Sequence, residues 1–152
     1  MQATCVKTEY YNGIRHTTEQ KLVFTPDEGC EEWLINLYPQ YTYQTLQGFG
    51  GAITESAAYV YSLLSPEQKQ ELMRMYFGPD GMNYCFVRIS IDSCDFSLSH
   101  YEADGFACDE TLERFSFARV EQYILPMLRD AERAHGEKLE IMLSPWSPPA
   151  YM

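Results

Sequence analysis

The stretch that decides the fold covers residues 88–96 and reads Arg-Ile-Ser-Ile-Asp-Ser-Cys-Asp-Phe. Its first half, together with Phe86 and Val87 before it, is rich in residues that favour β-strands. A polar, acidic segment begins at Asp92, and a helical pattern both precedes and follows the stretch. In sheets that alternate with helices, functional residues collect where a strand ends in its loop. We therefore expect functional side chains just after this strand.

Two more strands are predicted on either side of this one, at residues 45–52 and 139–143. The order from residue 45 onward is strand, helix, helix, strand, helix, strand, which predicts right-handed crossovers and a parallel sheet covered on both faces. The carboxyl ends of parallel strands meet at one edge of the sheet. The sequence therefore predicts that Gly50-Gly51, residues 92–96 and residues 144–146 lie side by side.

The helices between these strands carry recognisable start and stop signals. Thr54 is placed to cap the first, and Ser65-Pro66-Glu67-Gln68 combines a cap, a proline at the first helical position and a capping-box glutamine. A third helix is predicted after residue 115, and Pro126 should kink it because proline has no backbone N–H to donate to Gln122.

The first third of the chain has a β character. Residues 4–11 and 14–24 flank Asn12-Gly13, a pair that favours the type I′ turn of a β-hairpin. A turn is predicted at residues 26–29 and a further strand at residues 33–38. We therefore divide the chain into an N-terminal β segment of a flanking β-domain, residues 1–42, and an α/β part, residues 43–152.

Composition narrows the class of protein. The 152 residues carry a formal net charge of −11, which opposes binding to nucleic acid or to anionic membrane surfaces. The five cysteines include no Cys-x-x-Cys pair, which argues against zinc and favours reduced thiols. No signal peptide and no apolar run of about 18 residues is visible. These features predict a cytoplasmic protein with no metal, no cofactor and no membrane span.

Four residues near the predicted strand ends are candidates for a site. Asp95 beside Phe96 is a plausible pair for binding ligand hydroxyls, although Asp95 could equally cap the amides of its loop. Arg88, within the strand, needs a carboxylate partner, either a local acid or a group of the site. Trp146 is held in a proline-rich loop, where it could stack on a ligand or cover the core.

Other chemistries find less support. In Gly48-Phe49-Gly50-Gly51-Ala52-Ile53 the third glycine of a dinucleotide fingerprint would fall at Ile53, so the glycines are better explained by close backbone approach. The acids after Asp92 do not have the alternation of a calcium loop.

No Gly-x-Ser-x-Gly motif accompanies His16, His100 and His135, so a serine triad is not supported. An open domain of flavodoxin type would need a phosphate loop, which is not found. Glu55 is interpreted as a first-turn acid favoured by the helix dipole, without a catalytic role.

Residues 47–55, 88–97 and 144–149 together resemble the glucosylceramidase (glucocerebrosidase) family, glycoside hydrolase family 30. Residues 76–81 and 124–126 also fit, so that the resemblance extends over about residues 43–152. It implies a (β/α)₈ TIM barrel with a flanking β-domain and a retaining β-glycosidase mechanism. It also implies that Asp95 binds hydroxyls of the sugar, that Trp146 packs against the sugar, that Phe96 lines the pocket and that Arg88 supports the site near the nucleophile.

The resemblance also defines what this chain lacks. In the family, the acid/base glutamate lies in an Asn-Glu pair after the fourth barrel strand, and the nucleophile follows the seventh. The chain contains no Asn-Glu pair and only about three barrel strands, whereas a full barrel takes about 250 residues. We therefore expect an N-terminal portion of the enzyme, inactive alone, which holds no catalytic residue and needs the rest of the barrel as partner.

Ser90 and Asp92 stand where some members carry proline and alanine, so the substrate stays open between a β-glucoside and a β-1,6-glucan. A non-catalytic carbohydrate-binding module is the alternative of another class.

Overall fold

The structure is a computed structural model, and it describes residues 3–26, 29, 33 and 35–152. The chain forms two compact units, Met1–Gln44 and Thr45–Met152.

The first unit contains the predicted β-hairpin. Strands β1 (Ala3–Tyr11) and β2 (Ile14–Leu22) pair antiparallel, with Tyr11 opposite Ile14. Asn12 and Gly13 join them with φ angles of 51° and 74°. Positive φ at both central residues is the requirement of a type I′ turn, and the hairpin prediction is confirmed.

The further strand predicted at residues 33–38 is wrong where the structure can test it. Residues 35–38 form no strand, and Leu34 and part of the predicted turn at 26–29 lie outside the described residues. Ile35 and Leu37 are 87% and 84% exposed. A strand needs a pairing partner and a face to pack against, so β-forming residues alone do not produce one.

The second unit is built on a parallel sheet with the strand order β3-β4-β5. The strands are β3 (Gly50–Ala52), β4 (Phe86–Ile91) and β5 (Glu140–Pro145). Gly50 lies opposite Phe86, and Phe86 lies opposite Glu140. The predicted parallel order is confirmed, although β3 is shorter than residues 45–52 and β5 extends two residues further than predicted.

Four helices accompany this sheet: α1 (Glu55–Ser62), α2 (Pro66–Phe77), α3 (Ala118–Gln122) and α4 (Ile124–His135). Thr54 caps α1 by accepting from the amide of Ala57, as predicted. Ser65 and Gln68 form the predicted capping box at α2. None of the described helices has the length and apolar character needed to cross a lipid bilayer.

Pro126 has a different effect from the predicted kink. The helix is interrupted at Tyr123, which has φ −130° and ψ −47°, and a new helix begins at Ile124. Pro126 then lies in the first turn of α4, where a helical N–H has no partner within the helix. The prediction of one kinked helix is therefore replaced by two consecutive helices, and Gly136 ends the second with φ 90°.

The core lies between the helices and one face of the sheet. Val87 and Ile89 of β4 are buried there, whereas Arg88 and Ser90 alternate to the opposite face. The buried apolar residues form one cluster: Ile53, Ala58, Tyr61, Met73, Phe77, Val87, Ile89, Ile124, Leu128, Ala131 and Leu139. The expected cover on both faces is not found in the described residues, since Met142 and Leu143 of β5 are 64% and 59% exposed.

Candidate functional site

The ends of the three parallel strands enclose a pocket of about 160 Å³. Its wall takes side chains from the end of β3, from β4, from the loop after β4 and from the loop after β5. They are Ala52, Ile53, Thr54, Arg88, Ser90, Cys94, Asp95, Phe96 and Trp146. The predicted meeting of three strand ends is thus found, with Ala52–Thr54 in the place expected for Gly50-Gly51. All four candidate residues lie on this wall.

Arg88 and Trp146 contact each other in the wall of this pocket. The Arg88 guanidinium carbon lies 4.2 Å from the centre of the Trp146 ring, and Nη2 donates to Ser144 Oγ at 2.9 Å. The β4–β5 register places Ser90 opposite Ser144, so the loops after β4 and β5 begin side by side at the same edge of the sheet. No salt bridge joins Arg88 to a carboxylate in the described part of the chain. The cation therefore fixes the tryptophan ring and has not been neutralised by a local acid.

Asp95 presents an exposed carboxylate to the pocket. The alternative that Asp95 caps its own loop is not observed, because other side chains perform that task. Ser97 Oγ accepts from the amide of Cys94 at 3.0 Å, and Asp92 Oδ1 accepts from the amide of Ala103 at 2.7 Å. Within the described residues no hydrogen bond engages the Asp95 side chain, so its oxygens can accept from a ligand.

Two aromatic rings of the pocket are open to solvent. Phe96 is 60% exposed and Trp146 is 46% exposed. Trp146 therefore keeps a large part of its ring surface available for contact with a ligand. Exposed aromatic faces beside a carboxylate suit a ligand with apolar C–H faces and hydroxyl edges.

Glu55 has a larger role than the sequence indicated. It is 2% exposed, and its carboxylate accepts two bonds from Arg119, Nε–Oε1 at 2.8 Å and Nη2–Oε2 at 2.9 Å. It also accepts from the amide of Leu98 at 2.8 Å. The expectation of a simple first-turn acid misses this, because the partner lies 64 residues away in the chain. The hydrogen bond to Glu55 raises the pKa of the Arg119 guanidinium.

Tyr101 lies beside this ion pair. The Arg119 guanidinium is 4.9 Å from the centre of its ring, and burial followed by the negative charge of Glu55 raises the pKa of the Tyr101 hydroxyl. That hydroxyl is buried without a hydrogen-bond partner among the described residues. The ion pair and this ring together join α1, the loop after β4 and α3.

His100 contacts a serine and a glutamate, which are residue types found with histidine in catalytic triads. Ser93 Oγ lies 3.1 Å from His100 Nδ1, and His100 Nε2 lies 3.3 Å from Glu102 Oε1. Ser93 is only 4% exposed, so a substrate carbonyl could not reach its hydroxyl. Glu102 also accepts from the amide of Ala150 at 3.0 Å, which ties the loops after β4 and β5 together. These contacts connect residues of the loop after β4 to one another and to the loop after β5.

Within the described ranges, no group of three or more His, Cys, Asp or Glu side chains is arranged to hold a metal ion.

Comparison with known proteins identifies the family. The profile of the glycosyl hydrolase family 30 TIM-barrel domain matches residues 46–152. The chain belongs to glycosyl hydrolase family 30. The second unit is accordingly the first part of a family 30 barrel, and its sheet is open in this chain.

The family 30 relatives are similar over most of this chain and over a minor part of their own length. The lysosomal acid glucosylceramidase of Mus musculus is 31% identical over 120 residues, which are 78% of this chain and 23% of that protein. The endo-1,6-β-D-glucanase of Neurospora crassa is 30% identical over 112 residues, 72% of this chain and 23% of that protein. The crystal structure of SrfJ from Salmonella typhimurium superposes with a TM-score of 0.83 at 32% identity, covering 100% of this chain and 34% of that one.

Proposed function

We propose that this chain forms part of the sugar-binding wall of a retaining β-glycosidase that hydrolyses β-glucosides. The observation that carries the proposal is the pocket in which Asp95, Phe96 and Trp146 converge with Arg88. Membership of glycosyl hydrolase family 30 supports the reaction class.

The chemistry of the pocket fits one pyranose ring. A carboxylate with unused oxygens accepts hydrogen bonds from neighbouring sugar hydroxyls, and bonds to a charged acceptor are the stronger kind. The ring of Trp146 offers an apolar face for the sugar C–H groups, and Arg88 holds that ring from one side. The wall can therefore bind and orient a sugar at the end of the strands, where a barrel enzyme places its reaction.

The same pocket lacks the groups that cleave the bond. A retaining glycosidase uses two carboxylates about 5–5.5 Å apart. Asp95 is the one carboxylate among the residues that line this pocket. The proposal therefore assigns binding to this chain and leaves the acid/base and the nucleophile to glutamates outside it, so that the chain alone is inactive.

The test uses Trp146 as the reporter. The chain contains two tryptophans, Trp33 and Trp146, so a Trp33→Phe background isolates the signal of the pocket. Titration with methyl β-D-glucoside should give a saturable change in emission. Asp95→Asn should weaken the affinity at least tenfold, because an amide accepts less strongly than a carboxylate.

The matched control is Asp104→Asn. Asp104 lies in the same loop and accepts from the amide of Phe106, away from the pocket wall. The affinity of the Asp104→Asn variant for methyl β-D-glucoside should equal that of the Trp33→Phe background. Equal affinity for Asp95→Asn and the background, or no saturable signal at all, would rule out the proposed sugar wall.

A second substrate class has a specific observation in its favour. The β-1,6-glucanase from Neurospora crassa is as similar to this chain as the mouse glucosylceramidase, at 30% against 31% identity. We propose that the second sugar of a β-1,6-linked disaccharide contacts Phe96, which lines the pocket and is 60% exposed. Tighter binding of gentiobiose than of methyl β-D-glucoside, with the difference lost in Phe96→Ala, would favour the glucan over a single glucoside.

A further inference from the structure

The loop that carries Asp95 and Phe96 is tied to the start of α1 by bonds on both sides of Ser97. The carbonyl of Phe96 accepts from the amide of Ser56 at 3.0 Å. The amide of Leu98 donates to Glu55 Oε2 at 2.8 Å. The backbone next to the two pocket residues is therefore held by two consecutive residues of α1.

Arg119 extends the same tie to a third element. It pairs with both oxygens of Glu55, and its Nη1 donates to Ser99 Oγ at 3.1 Å. The Glu55 side chain is 1% exposed, whereas that of Arg119 is 34% exposed. A buried carboxylate that is satisfied by three donors holds a defined geometry, and removal of one partner leaves an unpaired charge.

We propose that Glu55 is a positioning residue for the sugar pocket, which acts through Arg119 and the Leu98 amide to fix Asp95 and Phe96. Glu55 does not line the pocket itself. Its effect on a ligand passes through the loop backbone, by the bonds at Phe96 and Leu98. The inference rests on the proposed function insofar as the ligand is a β-glucoside.

The experiment compares Glu55→Gln and Arg119→Lys in the full chain on the Trp33→Phe background. Both variants keep a polar side chain and lose the bidentate pair. Two quantities are measured for each: the dissociation constant for methyl β-D-glucoside, and the hydrogen-exchange rates of the Leu98 and Ser56 amides by NMR. We expect both variants to weaken binding about tenfold or more and to accelerate exchange at both amides. If Glu55→Gln does not fold, Arg119→Lys carries the test.

Two controls separate positioning from general stability. Glu71→Gln removes a carboxylate of the same bidentate geometry, since Arg74 Nε and Nη2 donate to Glu71 at 2.9 and 2.8 Å on the exposed surface of α2. Leu128→Ala weakens the core at a residue that does not line the pocket. Leu128→Ala should lower the melting temperature and leave the dissociation constant unchanged, and Glu71→Gln should change neither.

The positioning role would be overturned if Glu55→Gln and Arg119→Lys had the same amide exchange rates and the same dissociation constant as Glu71→Gln. It would also be overturned if the two variants exchanged faster at Leu98 and Ser56 but kept an unchanged dissociation constant. If the unaltered pocket does not bind the glucoside, the proposed function fails. The exchange rates then decide separately whether Glu55 fixes the loop.

Discussion

At the scale of single residues, the pocket depends on side chains that leave parallel strands at one edge of a sheet. Arg88, Asp95, Phe96 and Trp146 could be placed there from the sequence, because the strand order predicts that these ends meet. The role of Glu55 could not be predicted, because its partner Arg119 lies 64 residues away in the chain. The residues next to Glu55 in the sequence indicate the helix cap at Thr54, but they do not indicate an arginine partner far along the chain.

Arg88→Lys should weaken binding of methyl β-D-glucoside about tenfold. A lysine ammonium keeps the charge but cannot lie flat on the Trp146 ring as the guanidinium does, and a cation–π contact contributes about 0.5–2 kcal/mol. The measurement is the Trp146 emission titration. The control is Arg114→Lys, because the Arg114 guanidinium lies 4.4 Å from the Phe106 ring outside the pocket. Equal affinities of the two variants would contradict the role given to Arg88.

Tyr61 should make stability depend on alkaline pH. It is 5% exposed and donates to Asp130 Oδ2 at 2.6 Å. Burial and then this bond raise the pKa of its hydroxyl above the usual value of about 10. The folded state therefore holds the proton more tightly, so that the stabilisation is complete below about pH 10 and is lost as the pH rises further.

Urea unfolding at pH 8, 10 and 11 measures this dependence. The free energy of unfolding should fall above pH 10 in the parent chain, and less steeply in Tyr61→Phe. Tyr59→Phe is the control, since Tyr59 lies on the same helix and is 36% exposed. An equal slope for Tyr61→Phe and the parent chain would show that this hydroxyl does not govern the alkaline transition.

At the scale of elements, the strands and helices that carry strong local signals were predictable and those that depend on partners were not. The Asn12-Gly13 turn and the Ser65 capping box are specified by their own residues. Residues 35–38 have β-forming side chains and no neighbouring strand, so they stay irregular. Pro126 was expected to bend one helix, but a break at Tyr123 lets it occupy a first turn instead.

The glycines at the start of β3 give a test at this scale. A Cβ on Gly50 would collide with the carbonyl oxygen of Phe86, whereas one on Gly51 would meet only Tyr84 Cε2 at 3.6 Å, an ordinary contact. Gly50→Ala should therefore destabilise the second unit by about 1–3 kcal/mol, and Gly51→Ala by much less. Urea unfolding followed by circular dichroism measures both. A loss as large for Gly51→Ala as for Gly50→Ala would refute close strand approach as the reason for the glycine.

At the scale of the whole molecule, the proposed function gives this chain one side of a sugar-binding site. The fold class and the family could be recognised from about residues 43–152, while the identity of the substrate could not, because one carboxylate and two aromatic rings suit the sugar of many β-glycosides equally well. The open face of β5, with Met142 64% exposed, was not predictable from apolar residues that are typical of buried strands.

The division between binding and catalysis predicts no turnover by the chain alone. With one carboxylate in the pocket wall, 4-nitrophenyl β-D-glucoside should be released at the background rate. The assay compares the chain with Asp95→Ala purified in parallel, which controls for host enzymes. Turnover in the chain that disappears in Asp95→Ala would mean that the catalytic groups lie within these residues.

The central claim is that a sugar binds where the strands end, against Asp95, Phe96 and Trp146. The most direct measurement is a ¹⁵N NMR titration of the chain with methyl β-D-glucoside. The account predicts saturable shifts at the Trp146 indole N–H and at the amides of residues 94–97, with the Trp33 indole unchanged. Shifts confined to other residues, or none at saturating sugar, would contradict it.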